Sequence, residues 1–173
     1  MTAPPWVPNE EIKPAPMPLL LDPAAARDWM TRAGLGSAER APDPAELHLA
    51  RGVREAIRAM LVANSGGPRP GPSELQPLQA VALASPPALQ VSPECLIRLG
   101  PQHADRPGAG LLTLLLVIRD AQRDGTWRRL KACGNPDCRW AFYDRSHSGV
   151  GAWCDMATCG NRIKNRRLRQ RNR

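Results

Sequence analysis

Apolar residues recur at helical spacing along the first two thirds of the chain. From Asp43-Pro44 to about Asn64 they lie near one face of a predicted helix, and arginines occupy another face. An aspartate followed by proline is typical of a helix start, and Asp22-Pro23 repeats that signal before a helix that stops at Gly34. The pattern therefore predicts two amphipathic helices in this region.

A third helix, a hairpin and a fourth helix are predicted next. Ser73 is the expected N-cap of the third helix, after a linker rich in glycine and proline at 64–72. Two short runs with strand character, 88–92 and 95–100, indicate a hairpin. The longest apolar helix is predicted over 109–123, where the sequence Asp-Gly ends it.

The aromatic content favours a helical core. Phe and Tyr occur once each, so a core must be built from Leu, Ala, Val and Ile. Within it we expect His48 and Cys95 to be buried. The predicted fold is mainly α with a small β hairpin, divided into three parts: a Pro-rich flexible tail at 1–18, a helical domain at 19–126 and a C-terminal module at 127–173.

The excess of positive over negative charge is confined to one end of the chain. Residues 127–173 hold 12 basic and 3 acidic residues, whereas residues 1–126 hold 12 basic and 13 acidic ones. A segment this basic implies a polyanionic partner, with nucleic acid first and an acidic membrane surface or an acidic protein second.

Neither a membrane span nor a secretory signal is expected. The longest apolar run, 108–118, is far shorter than the roughly 20 residues that a spanning helix needs. The amino terminus lacks a basic start followed by an apolar block. We therefore expect a cytoplasmic protein without a membrane partner, in which thiols stay reduced.

Four of the five cysteines lie within 27 residues, in two pairs of equal spacing. They are Cys133, Cys138, Cys154 and Cys159. Paired thiolates are typical ligands of one structural Zn²⁺ ion with a closed tetrahedral site. Disulfides and coincidence are the alternatives, and a reducing compartment argues against disulfides. His147 could replace one of these ligands, but the favoured interpretation is a loop residue.

The spacing of the second pair restricts its conformation. Residues five apart lie about 140° apart on an ideal helix, so Cys154 and Cys159 cannot share one helical face. We expect a non-helical turn between them, with Cys154 outside the last helix and Cys159 near its start. Trp140, Phe142 and Trp153 are expected to form a small core beside the ion, and Tyr143 is the best candidate to stack on a base.

The cysteine segment resembles the CGNR zinc finger family. The resemblance rests on CGNPDCRWAFYDRS, on the Trp-Cys pair and on Cys159-Gly160-Asn161-Arg162 before an Arg-rich end, over roughly residues 130–171. It implies a treble-clef-like hairpin followed by a basic helix. Where relatives carry arginines before the Trp-Cys pair, this chain has Val150-Gly151-Ala152.

A weaker pattern, LLLDPAAARDWMTRAGL and later ELHLARGVREAIRAML, is similar to the ABATE domain that precedes this finger in relatives. The combination implies a transcription regulator.

The basic end is predicted to be a helix with an arginine stripe. Arg162, Arg166, Arg169 and Arg173 follow i, i+4, i+7 and i+11, while Ile163 and Met156 are placed to pack on the zinc module. The candidate nucleic-acid-binding residues are Arg162, Lys164, Arg166, Arg167, Arg169, Arg173 and Arg145.

Three classes of function remain after these arguments. The favoured one is a zinc-stabilised, DNA-binding transcription regulator whose N-terminal domain senses a ligand or mediates contacts. The alternatives are an RNA-binding protein and an adaptor that binds an acidic protein of the transcription machinery. We do not expect an enzyme, because Asp144 and His147 lie in a loop without a group to orient them and the four thiolates leave no open metal position.

Overall fold

The computed structural model describes residues 19–36, 39–103 and 108–171, excluding the side chains at 167 and 171. The predicted tail at 1–18 lies outside the described residues.

The described part of the chain is mainly helical, as predicted, with two small antiparallel hairpins. The helices are α1 (Pro23–Arg32), α2 (Pro44–Asn64), α3 (Pro72–Ala84), α4 (Ala109–Arg123) and α5 (Asn161–Arg171). The first hairpin consists of β1 (Pro87–Val91) and β2 (Ile97–Pro101), and the second of β3 (Leu130–Ala132) and β4 (Ala141–Tyr143).

The first two helices begin where the Asp-Pro signals predict. The Asp22 carboxylate accepts hydrogen bonds from two amides of the first turn of α1. Asp43 and Glu46 form a reciprocal capping box at the start of α2, which satisfies two backbone donors. The third helix differs from the prediction: Gly71 is its N-cap and Pro72 its first residue, so Ser73 lies inside the helix. Proline fits that first position because its missing N–H would have no helical partner.

Helix α2 lies at the centre of the hydrophobic core. Its apolar face packs against α1, α3 and α4, and the buried members of this core are Leu20, Ala26, Leu47, Ala50, Val53, Val81, Leu111 and Leu112. The expectation that His48 and Cys95 are buried was wrong. His48 lies on the solvent side of α2, and Cys95 is exposed in the turn between β1 and β2.

The first hairpin adds little to that core. Leu89 pairs with Leu99 and Val91 with Ile97, so these four side chains share one face of the two-stranded sheet, and all four are exposed. Within this hairpin only Gly100, at its base, is buried. Among the described residues, no helix is both long enough and apolar enough to cross a membrane.

The C-terminal hairpin is attached to the end of α2 by side-chain hydrogen bonds. Asn64 Nδ2 donates to the carbonyl oxygens of Trp127 and Leu130, both at 2.9 Å. Ser65 Oγ accepts from the Ala132 amide at 3.0 Å. On the preceding turns, the Arg58 guanidinium donates to the Arg139 carbonyl at 2.8 Å. These bonds fix the C-terminal module on the helical core.

Candidate metal centre and basic helix

Four thiols converge at the C-terminal module. The Sγ atoms of Cys133, Cys138, Cys154 and Cys159 all lie within 4.8 Å of one another. Cys138 Sγ is 3.7 Å from Cys154 Sγ, which is 3.8 Å from Cys159 Sγ. Cys133 and Cys159 are buried, and the other two are half-buried. Cys95 is the fifth cysteine, on the distant first hairpin.

The first cysteine pair is positioned by a tight backbone turn. The Cys133 amide donates to the Trp140 carbonyl at 2.8 Å, which closes the hairpin, and the Cys138 amide donates to the Asn135 carbonyl at 2.9 Å. Both sulfurs therefore point to the same side of the Gly-Asn-Pro-Asp turn, as that turn sequence predicts.

Asn135 is a site residue that the sequence analysis missed. Its side chain is only 1% exposed, and its Nδ2 lies 3.6 Å from Cys159 Sγ, within hydrogen-bonding distance of sulfur. It thereby connects the first turn to the second cysteine pair. Outer groups of this kind orient metal ligands and favour the thiolate form. Its place in the turn between two cysteines was the signal in the sequence that could have indicated this role. Asparagine is common in turns for its backbone conformation alone, so that signal is not specific.

The second pair spans the predicted non-helical turn. Cys154 precedes a wide π-helical turn, Met156–Gly160, which contains Cys159 and leads directly into α5. The Asp155 carboxylate caps this turn by accepting from the Thr158 amide at 2.7 Å. Cys154 thus lies outside the last helix and Cys159 next to its start, as expected.

The sulfur separations fit a tetrahedral metal site. Thiolates bound to zinc at about 2.3 Å at the corners of a tetrahedron lie about 3.8 Å apart. Two of the six sulfur–sulfur separations, 3.7 and 3.8 Å, match that edge, and all four sulfurs lie within 4.8 Å of one another. Four soft thiolate ligands without a carboxylate favour zinc over magnesium or calcium. His147 lies in an exposed loop and is not part of the thiol cluster.

The surroundings shift the pKa values of three of the thiols in different directions. Burial, followed by the neighbouring Cys133, raises the pKa of Cys154, and burial also raises the pKa of Cys138. Burial acts in the same direction on Cys159, but hydrogen bonds from Asn135 and from the other thiols outweigh it and lower the pKa of Cys159 to about 7. A divalent cation would stabilise all four thiolates together and release their protons.

The aromatic residues form the expected small core next to the thiols. Phe142 is buried with Cys133 and Cys159, and Trp140 and Trp153 pack against them. Tyr143 points the other way on β4 and keeps 46% of its surface exposed. Tyr143 is therefore available for contact with a partner.

A buried ion pair holds the loop between the two cysteine pairs. The Lys131 ammonium and the Asp144 carboxylate lie 2.8 Å apart and are 7% and 3% exposed. Asp144 also accepts from the Ser146 hydroxyl and from the Gly151 amide. A Cβ atom at Gly151 would lie 2.7 Å from an Asp144 oxygen, so only glycine permits this approach.

The same contacts keep Asp144 ionised. Lys131, followed by the Ser146 hydroxyl, holds the pKa of the Asp144 carboxyl far below its usual value. Its contribution to stability is therefore complete above the unfolded-state pKa of about 3.9 and is lost only as the pH falls through the lower folded-state pKa. Asp144 is engaged in holding the loop, while Arg145 and His147 are exposed beside it.

Helix α5 carries the arginine stripe on its solvent side. Arg162, Arg166 and Arg169 are exposed and share one side of the helix with Asn165 and Gln170. Arg166 also forms an exposed ion pair with Asp137 at 2.7 Å.

The other residues of α5 and its preceding turn that the sequence singles out differ in exposure. Ile163 is buried against the module as expected. Met156 is 47% exposed, and its sulfur lies against Gly160 of the module. Lys164 is exposed away from the stripe. The Arg167 side chain and Arg173 lie outside the described residues.

A helical region joined to a four-cysteine module ending in a basic helix defines a two-part protein of the zinc-finger class. The model of the CGNR zinc finger matches residues 129–172. The model of the ABATE family, described as "Putative stress-induced transcription regulator", matches residues 7–123. The chain therefore belongs to the ABATE family and carries a CGNR zinc finger. A search of the curated proteins found no match.

Replacing Asp144 by Asn should destabilise the module, because it leaves the buried Lys131 ammonium without its counter-ion. We expect a loss of about 3–5 kcal/mol in the free energy of unfolding, measured by urea denaturation of the zinc-loaded chain. Asp137→Asn is the matched control, since it removes an exposed ion pair worth about 0–1 kcal/mol. Equal losses in the two variants would show that the buried pair has no special role.

Proposed function

We propose that the chain is a DNA-binding transcription regulator whose C-terminal module is held by one structural zinc ion. The observation that supports this most strongly is the junction at residues 159–162. There the last of the four clustered thiols is directly followed by a helix with exposed arginines along one side.

Zinc in this proposal has a structural role. The four thiolates fill all four positions of a tetrahedral ion, so no position stays open for water or substrate. The module has strands of only three residues and a core of a few side chains, so it buries little apolar surface. Metal binding supplies on the order of 10 kcal/mol in comparable peptides, enough to determine whether the module folds.

The charge on α5 supports a nucleic-acid partner. Its eleven residues contain arginines and a lysine but no acid, and its exposed arginines repeat at about one helical turn. Such a stripe can contact successive phosphates along a strand or enter a groove. The Arg166–Asp137 ion pair is exposed, so exchanging it for a phosphate contact costs little.

The proposal includes no catalytic role. Asp144, the buried carboxylate of the module, makes contacts that all hold the loop: Lys131, Ser146 and Gly151. Both carboxylate oxygens are therefore engaged in these contacts and are not available for proton transfer to a substrate.

Neutralising the stripe should weaken DNA binding and reduce its dependence on salt. For Arg162→Gln, Arg166→Gln and Arg169→Gln combined, the slope of log K against log salt should become less negative by about 2.7, which corresponds to three released counter-ions. Fluorescence anisotropy on a DNA duplex at several salt concentrations measures this slope.

The control for that experiment carries the same loss of charge elsewhere. Arg98→Gln, Arg119→Gln and Arg123→Gln combined remove three positive charges from the helical region and its hairpin, away from α5. This variant should keep the original slope within about 1. Equal slopes for both triple variants would contradict the stripe as the DNA contact.

The exposed Tyr143 ring favours a second candidate, a single-stranded RNA partner. Base stacking on an aromatic ring is worth about 1–3 kcal/mol per base. If RNA is the partner, Tyr143→Ala should weaken binding of single-stranded RNA at least about fivefold and leave duplex DNA binding unchanged. Trp140 cannot serve in this test because it packs on the metal site. An unchanged RNA affinity would remove this candidate.

A further inference from the structure

A cavity lies at the seam where the helical region meets the zinc-finger module. Its volume is about 340 Å³. Helices α1, α2 and α4 form one wall and the β3–β4 hairpin forms the other. The apolar lining includes Trp29, Val53, Ile57, Leu114, Trp140 and Ala141. This volume is within the range of small-molecule sites.

Positive charge is concentrated at the same cavity. Arg54 and Arg58, one helical turn apart on α2, line it together with Arg139 from the module. Glu55 is the acid that pairs with Arg54 and Arg58, at 2.7 and 3.2 Å. The described lining residues include three arginines and no carboxylate. With one negative charge from Glu55 beside them, the net charge around the cavity is positive.

We infer that this cavity binds a small amphipathic carboxylate. The hydrocarbon part of the ligand lies between the two tryptophans and the aliphatic side chains, where burial removes it from water. Its carboxylate meets the arginines, whose planar guanidinium groups match a carboxylate in geometry and charge. A neutral or cationic molecule of the same shape gains the apolar burial but not the contact with the arginines.

The position of the cavity makes the ligand a regulator, a consequence that rests on the proposed DNA-binding function. The ligand contacts α2 and the module at once, next to the Arg58–Arg139 hydrogen bond that joins them. Its affinity therefore depends on how the module is seated on α2. DNA bound to α5 acts on the same module, and any change that the ligand makes in the affinity for DNA is matched by an equal change that DNA makes in the affinity for the ligand.

Octanoate is a suitable probe, and fluorine-labelled tryptophan reports where it binds. In the full zinc-loaded chain, the resonances of Trp29 and Trp140 should shift on titration with octanoate, while those of Trp127 and Trp153 should not. Octanol and octylamine have the same chain without the carboxylate. Both should bind at least about tenfold more weakly than octanoate. Equal binding of all three, or shifts at Trp127 and Trp153 as large as those at Trp29 and Trp140, would overturn the site.

Charge and volume variants separate the two parts of the site. Arg54→Gln should weaken octanoate binding about tenfold. Arg119→Gln is its control, because Arg119 pairs with the adjacent Asp120 at 2.7 Å as Arg54 pairs with Glu55, and Arg119 does not line the cavity. Ala141→Leu, at an exposed position that borders the cavity, should block octanoate by filling it. Octanoate affinity unchanged in both Arg54→Gln and Ala141→Leu would overturn the site.

Regulation is measured separately from ligand binding. Saturating octanoate should change DNA affinity at least about fivefold in the original chain and leave it unchanged in Ala141→Leu. Octanoate binding without any effect on measurable DNA binding would overturn the regulatory role. Octanoate binding in a chain without DNA affinity would instead contradict the proposed DNA-binding function, while the ligand site would stand.

Discussion

The convergence of four thiols is the constraint on which the C-terminal part of this protein depends. Two short strands, three aromatic rings and a loop cannot hold a helix in one orientation by apolar burial alone. The thiol cluster joins the hairpin turn to the start of α5, because Cys138 lies 3.7 Å from Cys154 and Cys154 lies 3.8 Å from Cys159. Every exposed arginine of α5 is positioned relative to that joint.

The module also depends on contacts that it does not contain itself. Asn64 and Ser65 at the end of α2 bond to the backbone of β3, and Arg58 bonds to the loop after Cys138. These bonds make the zinc finger an extension of the helical core. A change that alters the packing of α2 can therefore reach the basic helix through a few hydrogen bonds, which is the physical basis for placing a regulatory site at the seam.

The sequence predicted the features that depend on local spacing. The Asp-Pro starts of α1 and α2, the span of α4 and the turn between Cys154 and Cys159 all follow from residues within a few positions of one another. The features it could not predict join distant residues: the Lys131–Asp144 pair, the bond from Asn135 to Cys159 and the attachment of Ser65 to β3. His48 was misplaced for the same reason, since its burial depends on which face of α2 other helices cover.

X-ray absorption at the zinc edge tests the central claim most directly. The purified 173-residue chain should contain one zinc ion per molecule, with four sulfur neighbours at about 2.3 Å and no nitrogen or oxygen neighbour. Fewer than four sulfurs, a light-atom ligand in the first shell, or a zinc content far below one per chain would contradict the account.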